Sequence, residues 1–144
     1  MIDSVRQLLW NAGWRPDRQD CKAVAEWREK IDGPGGFEMS EAARQALAEF
    51  GGIKIEVRGR GIDFAKTSVH IDPTLAIGEE SRFEVFGKQL GSRLYPLGEA
   101  GDGHAFLAID GRGMVYLVMD DAIKRVGRSM AEAIESLVLG REMA

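Results

Sequence analysis

The stretch EFGGIKIEVRGRG, Glu49 to Gly61, is where the spacing of apolar residues changes. Before it, Ala43, Ala46, Leu47 and Phe50 recur at three- and four-residue intervals, which marks one face of a helix. After Gly52 the interval drops to two. Ile53, Ile55 and Val57 alternate with Lys54, Glu56 and Arg58, the pattern of a strand buried on one face only. Gly51 and Gly52 therefore read as a helix stop that lets the chain reverse into a sheet, where a Cβ would resist left-handed geometry. A phosphate-binding loop needs the opposite order, strand then glycines then helix, so that backbone donors aim at the anion. The RGRG that follows could suggest an RNA-binding tract, but a single copy within an alternating strand pair reads as a turn.

Upstream, the chain is helical. Val5, Leu8, Leu9 and Ala12 share a face that Gly13 closes, and Ala23, Val24, Trp27 and Ile31 repeat the pattern. The DGPGG cluster, Asp32 to Gly36, breaks that second helix, because proline and glycine both resist continuation. Ser40 is the expected N-cap of the third.

Downstream, Val69 and Ile71 mark the partner strand, stopped by Asp72-Pro73. A helix over roughly Glu79 to Leu90 follows, with Phe83, Phe86 and Leu90 as its buried side. Ala105 to Ile109 and Met114 to Met119 are apolar on both faces and flank Asp110-Gly111-Arg112-Gly113, a strong hairpin signal. These should be central strands, with Ile53 to Arg58 nearer an edge. Ser129 and Glu132 form a capping box for a last helix that buries Met130, Ala133, Ile134, Leu137 and Val138 and ends at Gly140. The expected order is three helices, a hairpin, a helix, a second hairpin and a final helix. That is an α+β fold, a single domain over residues 1–144 with an antiparallel sheet packed by helices, three N-terminal and one C-terminal.

Nineteen basic residues against twenty-three acidic give a net charge of -4, which argues against a general nucleic-acid binder. Cys21 is the only cysteine, so no intrachain disulfide can form. The N-terminus lacks the basic start and apolar run of a signal peptide, and no segment has the length of a membrane span. A cytoplasmic protein is the expectation.

Candidate chemistry is sparse. His70 and Asp72 have strand spacing on one face but lack a third metal ligand, and His70 should face solvent, opposite Val69 and Ile71. His104 at a strand start could act as a base, yet no nucleophile motif accompanies it. Cys21 near a helix start has no histidine partner. The pairs Glu79-Glu80 and Asp120-Asp121 diverge as neighbours on any regular element, so joint ligation is poor. Trp10, Trp14 and Trp27 all fall in the helical half, where core anchoring is the expectation and an exposed tryptophan would be a partner contact. No catalytic, metal or cofactor site emerges.

Four blocks in order carry a resemblance: AGWRPDR, ALAEFGGIKIEV, LYPLGEAGDGHAFLAIDGRGMVYLV and SMAEAIESLVLG. Together they resemble the SUKH superfamily of bacterial toxin-immunity proteins, in its third subgroup, over nearly the whole chain. The matching residues are Gly13, Trp14, Arg18, Phe50, Gly51, Gly52, Pro96, Gly98, Asp110, Gly113 and Tyr116, and architecture explains most of them better than partner contact. Ile53 departs conservatively from the family's more usual leucine. The resemblance implies an α+β fold and a non-catalytic protein without cofactor that binds and neutralises a cognate secreted polymorphic toxin domain, often a nuclease or nucleic-acid deaminase. The superfamily also holds regulatory and adaptor modules that bind other proteins, which is the alternative. A toxin that handles nucleic acid presents a basic cleft, which an acidic surface can occupy while steering association. Glu79, Glu80, Glu99, Asp102, Asp120 and Asp121, beside turns and strand ends, are the candidate partner-binding positions, with the exposed sheet edge and adjoining loops as the interface.

Overall fold

The computed structural model describes residues 1–33 and 36–143. Three helices come first: α1 (Asp3–Asn11), α2 (Cys21–Ile31) and α3 (Glu41–Phe50). Two short strands follow, β1 (Lys54–Ile55) and β2 (Val69–His70), then a 3-10 turn at Pro73–Ala76 and helix α4 (Glu80–Leu90). Four strands run in succession, β3 (Tyr95–Ala100), β4 (Ala105–Ile109), β5 (Val115–Val118) and β6 (Ile123–Gly127), before helix α5 (Met130–Leu139). All six strands pair antiparallel in sequence order as one sheet. The expected α+β architecture is therefore present, with three N-terminal helices and one C-terminal helix.

Helix starts follow the chemistry of their caps. The side chains of Asp20, Ser40 and Ser129 accept hydrogen bonds from the amides of Ala23, Ala43 and Glu132, satisfying donors that the helix itself cannot. Glu132 reaches back to the Arg128 amide at 3.4 Å, one residue before the Ser129 cap, so the expected box is displaced. Helix α2 ends at Ile31 with Asp32 as its C-cap, while Pro34 and Gly35 of the DGPGG cluster lie outside the described residues.

Where the sequence implied a second hairpin, the chain forms a four-stranded meander. Two of its strands were not anticipated. Strand β3 contains Pro96 and Gly98, which ordinarily argue against a strand. Here they flank a register shift against β4, and a Cβ on Gly98 would collide with the backbone around His70 on the neighbouring strand. Strand β6 shows Lys124 and Arg125 to its surroundings and lacks an apolar run. Leu90 is exposed rather than buried, since α4 closes immediately in a left-handed Gly91.

The first hairpin also differs. Burial alternates from Ile53 to Arg58 as expected, but only Lys54 and Ile55 are assigned to the ladder, extended by the Ile71 amide donating to the Ile53 carbonyl at 2.9 Å. RGRG is not a tight turn between strands. It opens a loop from Val57 to Ser68, pinned by an Arg60–Ala65 bridge and by the Ser68 hydroxyl, which bonds both amide and carbonyl of Val57.

One cluster of buried apolar side chains runs from Val5 in α1 to Val138 in α5, with Tyr95, Phe83, Leu107 and Leu137 among its fully buried members. Helix α5 lies against β2, β5 and β6, and α1 lies on α5. Successive strands of a meander reverse direction, so the β1–β2, β3–β4 and β5–β6 loops all fall at one end of the sheet. Helix α4 begins and α5 finishes at that end, as the Arg82–Asp120 and Lys124–Glu142 ion pairs show.

Candidate partner-binding surface

The residues that carry the sequence pattern are mostly bound up in architecture. Gly13, at φ +107°, turns the chain after α1 so that Trp14 drops into the core at 3% exposure. The Trp14 indole stacks on Phe50, with centroids 6.1 Å apart, and its N–H donates to the Glu49 carboxylate at 3.0 Å. Arg18 donates to the Glu49 carbonyl at 2.7 Å, and the Asp20 amide donates to Ala48 at 2.9 Å. Both contacts satisfy carbonyls that α3 leaves open at its end. The GWRPDR and EFGG blocks are thus two halves of one junction.

The glycines of that junction have different jobs. Gly52 adopts φ +82°, the left-handed conformation expected of a helix stop. Gly51 does not: its φ is -58°. A Cβ at Gly51 would sit 2.5 Å from the Trp27 ring and from the Leu47 carbonyl, so the constraint is space rather than backbone hand.

Asp110, 5% exposed, organises the β4–β5 turn. One carboxylate oxygen accepts from the amides of Arg112 and Met114 at 2.9 and 3.0 Å, and the other from the Tyr116 hydroxyl at 3.0 Å. Gly113 completes that turn at φ +93°. A second pair repeats the design: Asp32 accepts from the Tyr95 hydroxyl at 2.7 Å and from the Met39 amide at 2.8 Å. Burial, reinforced by the bond to aspartate, pushes both phenols above their usual range.

The candidates for chemistry stay apart. His70 is half-buried, opposite Lys54 on one side and Glu99 on the other, while His104 is exposed in the β3–β4 turn. Asp72 turns away to cap the 3-10 segment through Thr74. Cys21 is exposed at the first residue of α2. Among the described residues, no group of three His, Cys, Asp or Glu side chains could hold a metal, and no helix is long and apolar enough to cross a membrane.

The candidate acidic positions lie toward the end of the sheet that carries the three hairpin loops. Arg82 ties Glu79 to Asp120, at 3.3 and 3.2 Å, with its guanidinium 5.7 Å above the Phe106 ring. Glu99 is the direct cross-strand neighbour of Phe106, and Asp102 occupies the adjoining turn at φ +56°. Asp121 is exposed beside Asp120. Glu80 turns its carboxylate onto the Gly78 amide at 2.9 Å, so it is the most locally engaged of the six. Arg82 escaped the sequence reading, although its i,i+3 spacing from Glu79 was a usable sign.

The same end carries a feature that the sequence reading assigned to a turn. Arg58, Arg60 and Lys66 are exposed on the β1–β2 loop, which touches the β3–β4 turn where the Gly101 amide donates to Ser68 at 2.9 Å. The rim is therefore dipolar: cationic over β1–β2, anionic over α4 and β5–β6. Along α4, from Glu80 to Gly91, a cleft of about 640 Å³ opens over Phe37, Phe83 and Leu94, with the Glu38–Arg93 and Glu84–Lys88 pairs along its edge.

Compared with known proteins, residues 1–140 match the model of one family, described as SUKH-3 immunity protein. No curated protein and no solved structure matches.

Proposed function

The chain belongs to the SUKH-3 immunity protein family, and from that premise we propose that it binds and neutralises a cognate secreted polymorphic toxin domain in the cytoplasm, with no chemistry of its own. The toxin class that fits best is a nuclease or nucleic-acid deaminase, because such enzymes carry a basic cleft for phosphates. The observation that carries the reading, beyond membership, is the gathering of acidic side chains at one end of the sheet. Asp102, Asp120 and Asp121 are exposed there, and Glu79 and Glu99 lie beside them.

The interface is then the loop rim, not the sheet edges. Strand β1 has two residues, the charged Lys54 among them, and is followed by Glu56, while β6 presents Lys124 and Arg125 and shifts register against β5. Short, charged and bulged edges discourage strand addition. An acidic rim in a basic cleft would block substrate sterically and speed encounter electrostatically. The test is stopped-flow association between this protein and the toxin domain encoded beside it. Reversing Asp102, Asp120 and Asp121 to lysine should slow association by about tenfold or more at low salt, and an unchanged rate would sink the acidic-rim reading.

A further inference from the structure

The β1–β2 loop is unusually well held for a surface excursion. The amides of Ile62, Asp63, Phe64 and Thr67 donate to the carbonyls of Leu139, Gly140, Gly140 and Leu137, at 3.1, 2.7, 2.9 and 2.8 Å. These are the open carbonyls at the end of α5, so the loop caps the helix and is fixed by it. Gly61 and Gly140 face each other so closely that a Cβ on Gly61 would lie 2.6 Å from the Gly140 Cα. Asp63, the one acid of the loop, is occupied by the Glu142 amide at 2.7 Å.

What the loop presents outward has no side-chain partner among the described residues. Ile62 is 66% exposed, more than any other large apolar side chain among the described residues. Arg58, Arg60 and Lys66 lie on the same loop, exposed and without an ion pair among the described residues. The nearby charges are already matched: Lys54 with Glu56, and Lys124 with Glu142. An apolar side chain on a fixed backbone, with uncompensated cations on the same loop, loses little entropy on binding and selects for negative charge.

We propose that the loop Arg58–Lys66 is a docking site for an acidic segment of the protein partner, with Ile62 seated in an apolar spot on that segment and the three cations paired to its carboxylates. The proposal rests on the neutralisation reading only in taking the partner to be a protein. RNA is the poorer occupant. Bases stack on exposed aromatic rings, whereas the loop's one ring, Phe64, is half-buried beneath the Lys124 ammonium at 4.8 Å. A partner that meets the whole rim must carry basic and acidic regions side by side, which fixes the orientation of binding as well as its strength.

The test is a titration of the full-length, 15N-labelled protein with three probes, followed by amide chemical shifts. The probes are a heptapeptide with Asp and Glu around a central Leu, its lysine counterpart, and a short single-stranded RNA. The acidic peptide should shift amides within residues 58–67 saturably. The Arg58→Glu/Arg60→Glu/Lys66→Glu variant should weaken that by about tenfold or more, and Ile62→Ser by several-fold, with melting temperatures unchanged. Shifts that are absent, that lie elsewhere, or that the RNA produces more strongly would overturn the proposal. The assay contains no toxin, so its failure leaves the neutralisation reading standing, and failure of the acidic-rim reversals leaves this assay interpretable.

Discussion

At the α1–α3 junction, the Arg18 guanidinium meets the Glu49 carbonyl at 2.7 Å and Asp20 at 3.7 Å, and the Trp14 indole N–H ends on the Glu49 carboxylate. At the loop rim, Arg58, Arg60 and Lys66 form no ion pair among the described residues, and Asp120 shares its one partner, Arg82, with Glu79. The two regions draw on similar side chains under opposite conditions. In the junction each polar group is partly buried, so an unmade hydrogen bond would be costly, and residue identity is tightly constrained. On the rim water satisfies each charge, so the fold tolerates almost any polar residue. The junction fixes residue identity, and the rim leaves it open.

The sharpest way to break that division is Trp14→Ala. It removes a buried ring stacked on Phe50 together with the bond to Glu49, and unfolding stability should fall by about 4 kcal/mol in urea titrations. Partner affinity of the fraction that stays folded should not change. A stable variant that no longer binds would make Trp14 a contact residue and collapse the distinction. Gly51→Ala tests the same region by adding matter rather than removing it. The new Cβ meets the Trp27 ring and the Leu47 carbonyl, which should cost about 3 kcal/mol. Because Gly51 is not left-handed, Trp27→Ala should recover part of that loss, whereas a backbone-strain origin predicts no recovery.

Tyr95→Phe is milder, about 2 kcal/mol, since among the described residues it leaves the Asp32 carboxylate with the Met39 amide alone. It also has a pH signature. The folded state holds the Tyr95 and Tyr116 phenols protonated above their unfolded value of about 10. Their stabilisation is whole below that pH and declines as pH rises above it, because the unfolded chain loses its phenolic protons first. These are the only two tyrosines in the chain. Replacing both with phenylalanine should flatten the alkaline fall in chemically measured stability, and an unaltered slope would contradict the assignment.

The division also explains what could be read before the structure. The period change at Gly51–Gly52, the Ser40 and Ser129 caps, the Asp110 turn and the inner face of α5 are local features, each set by a few adjacent residues, and each is present. Strand β3 was hidden because Pro96 and Gly98 violate local strand chemistry. Only the approach of the His70 backbone, distant in sequence, makes that glycine necessary. RGRG looked like a turn because its reason lies 79 residues away, where α5 ends and the Gly140 backbone needs a partner without a Cβ. On the rim, sequence could name acidic candidates near turns but could not show that alternate meander loops bring Asp102 and Asp120 to one end, or that cations stand beside them. The resemblance rested on four blocks whose matching residues are mostly architectural, from Gly13 and Trp14 to Asp110 and Tyr116, and for that reason it said little about the surface.

The smallest stability effect expected should come with the largest change in binding. Reversing Asp120 and Asp121 to lysine alters exposed side chains, so unfolding stability should move by less than about 0.5 kcal/mol per site, and Asp102, left-handed at φ +56°, should lose somewhat more. Asp120 is the informative member. Its ion pair with Arg82 is 94% exposed on the aspartate side, where such pairs contribute little, yet Asp120→Lys would also place a cation against Arg82. If the rim is only solvated surface, Asp120→Asn and Asp120→Lys should behave alike toward the partner. If the rim steers association, the lysine variant should bind more slowly than the asparagine variant, and added salt should shrink the gap between them as it screens the charges. That ordering separates a charge effect from a lost contact, because both variants remove the carboxylate and only one reverses the field.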